Sequence, residues 1–203
     1  MSLPVLLHGA SGGGGGASSL DGLADVTLTA PADGDAQTYY TGTSKGVNAA
    51  PSSGTTLESV YRSANLSVSN NTTTLVTWDS EFVDDDGAHS TSSNTSRIVV
   101  PTGKTLARFT VVTSWAANNT GARYIFLEKN SAGTSTAANQ VIYFGTTNNP
   151  AALDYGTVTF TTGWIGVTAS DHYEVFVTQL SGGSLNLIGG TLPRASVFTA
   201  EFR

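Results

Sequence analysis

The segment Ala107–Thr113, which reads ARFTVVT, alternates apolar and polar side chains and decides the fold class of this 203-residue chain. The segment Asp171–Val177, DHYEVFV, repeats the pattern. A period of two is typical of a strand with one buried face, because successive side chains of a strand point to opposite sides of the sheet. No run between Leu57 and Arg203 has a clear helical period, so this part of the chain is predicted to be all-β.

Short runs of the same kind recur through residues 57–203, separated by turn-forming clusters of Gly, Asn, Ser and Thr such as Pro101–Gly103 and Asn118–Gly121. We predict ten strands there, at residues 58–68, 74–83, 96–100, 105–117, 121–129, 139–146, 155–168, 171–180, 184–189 and 195–203. Ten strands of this length indicate a two-sheet jelly roll.

The composition restricts the class of partner. Only 12% of the residues are charged, about half the usual share, and the formal net charge is −6. With no basic run, we expect neither nucleic-acid binding nor docking to an anionic membrane. No stretch approaches the ~18 apolar residues of a membrane helix, so we expect no membrane insertion. The absence of cysteine favours folding in a bacterial cytoplasm.

The chain divides into three predicted parts. Residues 1–19 contain the run Gly12–Gly16, which indicates a flexible arm. Residues 20–56 are too slender to bury their own apolar side chains, so a partner must cover them, and three copies wound together would do so. The trimer-interface candidates in this shaft are Val26, Leu28, Tyr39 and Tyr40. Residues 57–203 form the predicted head.

The shaft has a recognisable order of short motifs. Leu23–Val26 reads LADV, Pro31–Asp35 reads PADGD, a strand with two tyrosines follows, and a turn ends in Val47–Asn48. This order resembles the linker repeat of bacteriophage fibre proteins, which implies a position in a trimeric fibre. The turn Thr43–Gly46 departs from the usual repeat, in which a tryptophan often follows the lysine.

The head has its own motif order. Arg97–Gly103 reads RIVVPTG, Asp171–Tyr173 follows a turn, and the chain ends on Ser196–Phe202, SVFTAEF. This order is similar to the trimeric jelly-roll heads of the complement globular-head and tumour-necrosis-factor superfamily, as used at the tips of phage fibres. Ser170 stands where those proteins usually have glycine, and Trp78 where they usually have phenylalanine.

That resemblance implies a homotrimer whose last strand lies near the threefold axis. Phe198 and Phe202 on this strand are candidates for the trimer interface. Filling the core of the single chain is the alternative for both rings.

Catalytic chemistry has little support in the sequence. The histidines are His8, His89 and His172, and no Gly-x-Ser-x-Gly motif accompanies them. We therefore expect no enzyme activity. Asp84, Asp85 and Asp86 allow three interpretations: a solvated acidic turn, a calcium site, or acid–base carboxylates for glycoside hydrolysis.

Sugar binding suits the loops better, because amides and hydroxyls bond sugar hydroxyls while aromatic faces stack on C–H edges. Loops on a rigid scaffold are also where binding residues concentrate. The receptor-binding candidates are Asp86, His89, Asn118, Asn119, Asn148, Asn149 and Tyr155.

These observations favour a structural protein of a phage particle, assembled in the bacterial cytoplasm. We expect a homotrimeric fibre or spike that contacts other virion proteins through its N-terminal arm and binds a bacterial surface receptor, a glycan or a protein, through its head. A capsid-decoration or tail-assembly protein without a receptor is the first alternative, and a glycan hydrolase is the second.

Overall fold

The computed structural model describes residues 26–27, 36–40, 45–49, 54–146, 155–190 and 192–203. The chain divides into two units between Gly54 and Thr55. In the first unit, three strands form one sheet: β1 (Val26–Thr27), β2 (Ala36–Tyr40) and β3 (Lys45–Ala49). Strand β3 lies in the middle, parallel to β1 and antiparallel to β2.

The second unit has thirteen described strands and no helix among its described residues. The strands are β4 (Thr56–Tyr61), β5 (Leu66–Val68), β6 (Thr74–Leu75), β7 (Ser80–Asp84), β8 (Arg97–Val99), β9 (Leu106–Ala116), β10 (Arg123–Lys129), β11 (Gln140–Thr146), β12 (Tyr155–Thr161), β13 (Ile165–Gly166), β14 (His172–Gln179), β15 (Leu185–Leu187) and β16 (Val197–Phe202). The all-β prediction is confirmed.

The larger of two sheets is built around β9. This strand pairs with β16 and β15 along one edge and with β12 and β13 along the other. Strand β4 then pairs with β16, β7 pairs with β4, and β5 pairs with β15. Every one of these pairs is antiparallel, and each joins strands that are not consecutive in the chain, as the Greek-key connections of a jelly roll require.

The smaller sheet is built around β14. Strand β10 pairs with one edge of β14, and β11 pairs with the far edge of β10. Strands β6 and β8 both pair with the other edge of β14. All pairs are again antiparallel. The two alternating segments, Ala107–Thr113 and Asp171–Val177, therefore lie in the central strands of the larger and the smaller sheet.

The core lies between the two sheets. Along β9 every second side chain is buried, beginning with Ala107 and Phe109. The Phe109 ring lies 4.3 Å from the ring of Tyr173 on the smaller sheet, and 6.0 and 6.2 Å from those of Phe198 and Phe202 on its own sheet. Aromatic contacts of this kind join the two layers.

Three of the ten predicted strands are interrupted. Buried Arg62 ends β4, because its guanidinium donates to the carbonyl oxygens of Ala64 and Thr77, at 3.0 and 2.5 Å. Asp79 accepts the backbone N–H of Ser63 at 2.6 Å. These contacts connect the segment between β4 and β5, which interrupts the first predicted strand, to the segment between β6 and β7, which interrupts the second.

The third interruption separates β12 from β13. Here Thr162 Oγ1 accepts the Phe109 N–H at 2.9 Å, so a side chain replaces the next backbone acceptor of the ladder. Among the described residues, none forms a helix long and apolar enough to cross a membrane.

Candidate ligand-binding recess

A surface recess of about 520 Å³ lies beside β8 and the start of β14. It is formed by the loop between β7 and β8, by part of β8, and by the turn that leads into β14. We call it the recess; its lining residues are Gly87, Ala88, His89, Ser90, Ser93, Asn94, Arg97, Val99, Ser170 and His172.

The loop between β7 and β8 is held by hydrogen bonds at its start and within its tip. Asp84 Oδ1 accepts the backbone N–H of Ala88 at 2.7 Å. Gly87 has a φ of +64°, a conformation that glycine adopts without steric cost. The tip is shaped by Ser90, whose Oγ accepts the N–H of Ser93 at 3.2 Å.

His89 fastens this loop to its surroundings. The imidazole has no exposed side-chain surface, and its Nδ1 lies 2.7 Å from Glu81 Oε1. Its Nε2 lies 3.2 Å from the carbonyl oxygen of Thr95. The predicted receptor-binding residue His89 thus lines the recess, but both ring nitrogens are engaged by the protein.

The floor behind the recess contains Glu174, whose side chain is only 1% exposed. Its carboxylate accepts hydrogen bonds from Ser96 Oγ at 2.5 Å, from Arg97 Nε at 3.1 Å, and from Ser131 Oγ. His172 Nε2 lies 3.9 Å from this carboxylate and 3.0 Å from the Ser131 carbonyl oxygen. One buried carboxylate therefore links β8, β14 and the loop after β10.

Sequence reasoning missed Arg97 and Glu174 as site residues. They become neighbours because they are direct partners in the register of β8 and β14, 77 positions apart in the chain. Neither residue belongs to a local motif for binding. Only a correct strand pairing would have brought them together.

The acidic turn after β7 is occupied by internal contacts. Asp85 accepts the Leu57 N–H at 3.0 Å, and Asp86 accepts from Thr56 Oγ1 at 2.5 Å and lies 3.6 Å from Lys104 Nζ. Among the described residues, no three His, Cys, Asp or Glu side chains are placed to hold a metal ion. The calcium interpretation of Asp84, Asp85 and Asp86 has no geometric support.

Glu58 on β4 lies directly opposite Asp84 on β7 and has no exposed surface. Burial raises its pKa to about 8, and a side-chain hydrogen bond with Asp84 acts in the same direction. The Asp86 N–H donates to Glu58 Oε1 at 3.0 Å. Glu58 therefore carries a proton at neutral pH, which removes the repulsion between two adjacent carboxylates.

The other receptor-binding candidates lie elsewhere. Asp86 lines an adjoining recess of about 460 Å³, together with Pro101 and Thr102. Asn118 Oδ1 accepts the Thr120 N–H at 2.8 Å in the loop between β9 and β10, outside the recess. The last four candidates do not line the recess in the described part of the chain: Asn119 is exposed in the same loop, Asn148 and Asn149 lie outside the described residues, and Tyr155 begins β12 with its side chain undescribed.

The trimer-interface candidates separate into two groups. Phe198 and Phe202 are 0% exposed in the single chain, so the core alternative holds for both rings. The backbones of Val26, Tyr39 and Tyr40 lie in β1 and β2, while their side chains, and all of Leu28, lie outside the described residues.

The outward side of the larger sheet has few charges. Ser59 and Thr199 share a hydrogen bond of 3.1 Å, and Thr110 and Thr161 share one of 2.9 Å. Val197 lies in the next row, between Tyr61 and Val112. The Arg108–Glu201 ion pair, at 2.6 Å, lies on the other flank of the hydroxyl pairs. We call this surface, residues 59, 61, 110, 112, 161, 197 and 199, the threonine face.

The smaller sheet also has an outward aromatic patch, made of Tyr124, Phe126 and Tyr143. The Tyr143 ring lies 5.5 Å from Tyr124 and 5.2 Å from Phe126, and Tyr143 is 57% exposed. The Tyr124 ring lies over Gly145, where a Cβ would come within 2.3 Å of it. This patch is separate from the recess, whose lining contains none of its residues.

Comparison with solved structures agrees with the sheet arrangement. The chain is similar to the Eiger TNF of S. frugiperda, with 10% identity and a TM-score of 0.51 over 73% of this chain and 92% of that one. It is similar to murine APRIL at pH 8.0, with 9% identity and a TM-score of 0.52 over 74% of this chain and 100% of that one. These likenesses establish a tumour-necrosis-factor-like jelly-roll fold.

A further alignment, to the globular domain of the zebrafish complement 1qA protein, has 14% identity and a TM-score of 0.45, covering 71% of this chain and 94% of that one. The sequence matches no protein-family model and no curated protein sequence.

Proposed function

We propose that the chain is a homotrimeric attachment protein, a bacteriophage fibre or spike whose head binds a glycan on the bacterial surface. The observation that carries the binding proposal is the recess. Three serines, an asparagine, His172 and Arg97 line it with polar side chains that match the hydroxyl groups of a sugar. They are presented by loops on a rigid two-sheet scaffold, the usual setting for a binding site.

The threonine face supports self-association. It is a sheet surface of hydroxyl, valine and tyrosine side chains in which Ser59, Thr110, Val112, Val197 and Thr199 are already half-buried in one chain. A second copy can cover such a surface without leaving a charge unpaired, and depletion of charge is typical of the centre of an interface. Three weak recesses carried by one trimer gain avidity through effective concentration.

The phage assignment rests on the resemblance of residues 23–51 to a fibre linker repeat. It makes the N-terminal arm the virion anchor and the head the outermost part. Labelling of assembled particles with an antibody against the head tests this assignment. Heads that project into solvent support attachment, whereas heads covered by other virion proteins contradict it.

The recess itself is tested by obstruction. Ser93 is exposed on the recess wall, and Ser93→Tyr places a bulky ring there. The matched control is Ser184→Tyr, at an exposed serine in the turn before β15. We expect the native protein and the control to bind a panel of bacterial surface polysaccharides, and Ser93→Tyr to lose that binding.

Three outcomes would contradict the proposal. The first is a native protein that binds no polysaccharide of the panel, and the second is an obstructed variant that binds as well as the control. The third is the appearance of shortened polysaccharide chains during incubation, because we propose binding without chemical conversion.

A further inference from the structure

We propose that the recess is specific for an acidic sugar, and that Arg97 reads the carboxylate of that sugar. This inference rests on the proposed glycan-binding function and adds the chemical class of the ligand.

The charge of the recess differs from the charge of the chain. The protein has a formal net charge of −6, with 15 acidic and 9 basic residues. The ten lining residues nevertheless include Arg97 and no carboxylate. Two carboxylates near the recess are paired within the protein: Glu81 contacts His89, and Glu174 contacts Arg97 with a side chain that is only 1% exposed. A negatively charged ligand therefore fits this recess better than the rest of the surface.

Arg97 is already oriented for such a ligand. Its side chain is 28% exposed, and its Nε donates to the buried Glu174. This bond orients the guanidinium, and among the described residues Arg97 donates side-chain hydrogen bonds through Nε alone. The four N–H groups on Nη1 and Nη2 stay available, and a planar guanidinium fork matches a carboxylate in a bidentate manner.

The other lining residues supply the contacts that a sugar ring needs. His172 Nε2 is 3.0 Å from the Ser131 carbonyl oxygen, so this nitrogen carries the proton that it donates there. In the neutral ring Nδ1 is then a hydrogen-bond acceptor. Ser90, Ser93 and Ser170 add hydroxyls that act as donors or acceptors. The recess thus combines one anion-binding fork with several hydroxyl-binding groups.

The first test uses the native protein and matched sugars. Titrations with galacturonate, its methyl ester and galactose separate charge from shape, because the ester keeps the substituent and removes the charge. We expect galacturonate to bind about tenfold more tightly than the other two, in line with one charge-assisted hydrogen-bonded pair. We also expect added salt to weaken binding of galacturonate and not of galactose.

The second test uses variants. Arg97→Gln removes the charge and should abolish the preference for galacturonate, and Arg97→Lys should lose most of it because an ammonium has no planar fork. Arg194→Gln makes the same charge change at an exposed position outside the recess, and Tyr143→Ala removes the exposed ring of the aromatic patch. Both controls should keep the preference. Thermal melting of each variant verifies folding, and the ester comparison on native protein stands even if Arg97→Gln fails to fold.

The outcomes separate this inference from the function on which it rests. Equal affinity for galacturonate, ester and galactose overturns the inference while glycan binding stands. A preference that survives Arg97→Gln, or disappears in Tyr143→Ala, also overturns it. If the native protein binds none of the three sugars and no surface polysaccharide, both the inference and the proposed function are wrong.

Discussion

At the scale of single residues, Glu58 shows how one buried proton affects the stability of the whole head. In the folded state the pKa of Glu58 is about 8, whereas the ordinary pKa of a glutamate carboxyl is 4.5. At a pH between these two pKa values, Glu58 is ionised in the unfolded chain and protonated in the folded chain. The contribution of Glu58 to stability is therefore most favourable below the lower value and falls as the pH rises through this window.

Glu58→Gln should raise the free energy of unfolding at pH 8 by on the order of 2–4 kcal/mol and change it little at pH 4. The amide keeps an acceptor for the Asp86 N–H and can donate to Asp84 without ionising. Urea unfolding at pH 4, 6 and 8 measures the effect, with Glu201→Gln as a control at a partly exposed ion pair. An equal gain at all three pH values would show that ionisation of Glu58 is not the cause.

Ser170 offers a second prediction at this scale. Its φ is +73°, a left-handed conformation in which a Cβ is strained, so the glycine that similar heads carry here has a physical reason. Ser170→Gly should raise the melting temperature, with a net gain of about 0.5–1 kcal/mol after the extra backbone entropy of glycine in the unfolded chain. Ser170→Ala keeps the Cβ and should give no such gain. A variant Ser170→Gly that melts below the native protein would contradict this account.

At the scale of elements, strand β16 separates core from surface. Phe198 and Phe202 point inward with no exposure, and Thr199 between them points outward. Phe198→Ala should lower the free energy of unfolding by about 3–5 kcal/mol, because a buried ring leaves a cavity. Thr199→Ala, on the opposite side of the same strand, should cost much less. Denaturant unfolding compares the two, and a similar small cost for both would place Phe198 outside the core.

The same scale shows what the sequence could and could not predict. Alternation was sufficient for β9, because its first part has one buried face and the period is visible in the chain. The same pattern located β14, but the expectation of a single buried face was wrong there, since every side chain from Tyr173 to Gln179 is buried. It failed at residues 62–65, where buried Arg62 bonds to carbonyl oxygens and ends the strand although the apolar pattern continues. A bend made by long-range side-chain contacts leaves no local signal.

The candidate site was harder to predict than the fold. His89 was identified from its polar loop, but its engagement with Glu81 and the Thr95 carbonyl depends on tertiary contacts. Arg97 and Glu174 were missed because their meeting depends on the register of β8 and β14. Burial of Phe198 and Phe202 likewise depends on which side of β16 faces the other sheet, so the sequence left core and interface as alternatives.

At the scale of the whole molecule, the proposed trimer should be sensitive to a charge placed on the threonine face. Val112→Glu places a charge in the middle of the threonine face and should convert a trimer into folded monomers, since a buried unpaired charge is costly. Native mass spectrometry measures the change, and circular dichroism verifies that the strands persist. Thr134→Glu, at an exposed position in the loop after β10, is the control and should stay trimeric.

Two results would contradict the trimer. If the native protein is monomeric at micromolar concentration, the proposal of a trimer is wrong. A variant Val112→Glu that stays trimeric would place the association of subunits on another surface.

The bonding pattern around Glu174 also affects how the recess can evolve. Arg97, Ser96, Ser131 and His172 all depend on that one carboxylate, so a change in any of them disturbs the others. Among the described residues, the hydrogen bonds of Ser90 and Ser93 stay within the tip of their own loop. If the recess is the binding site that we propose, natural variants that change its ligand preference should therefore accumulate at the tip, while the residues around the carboxylate stay constant.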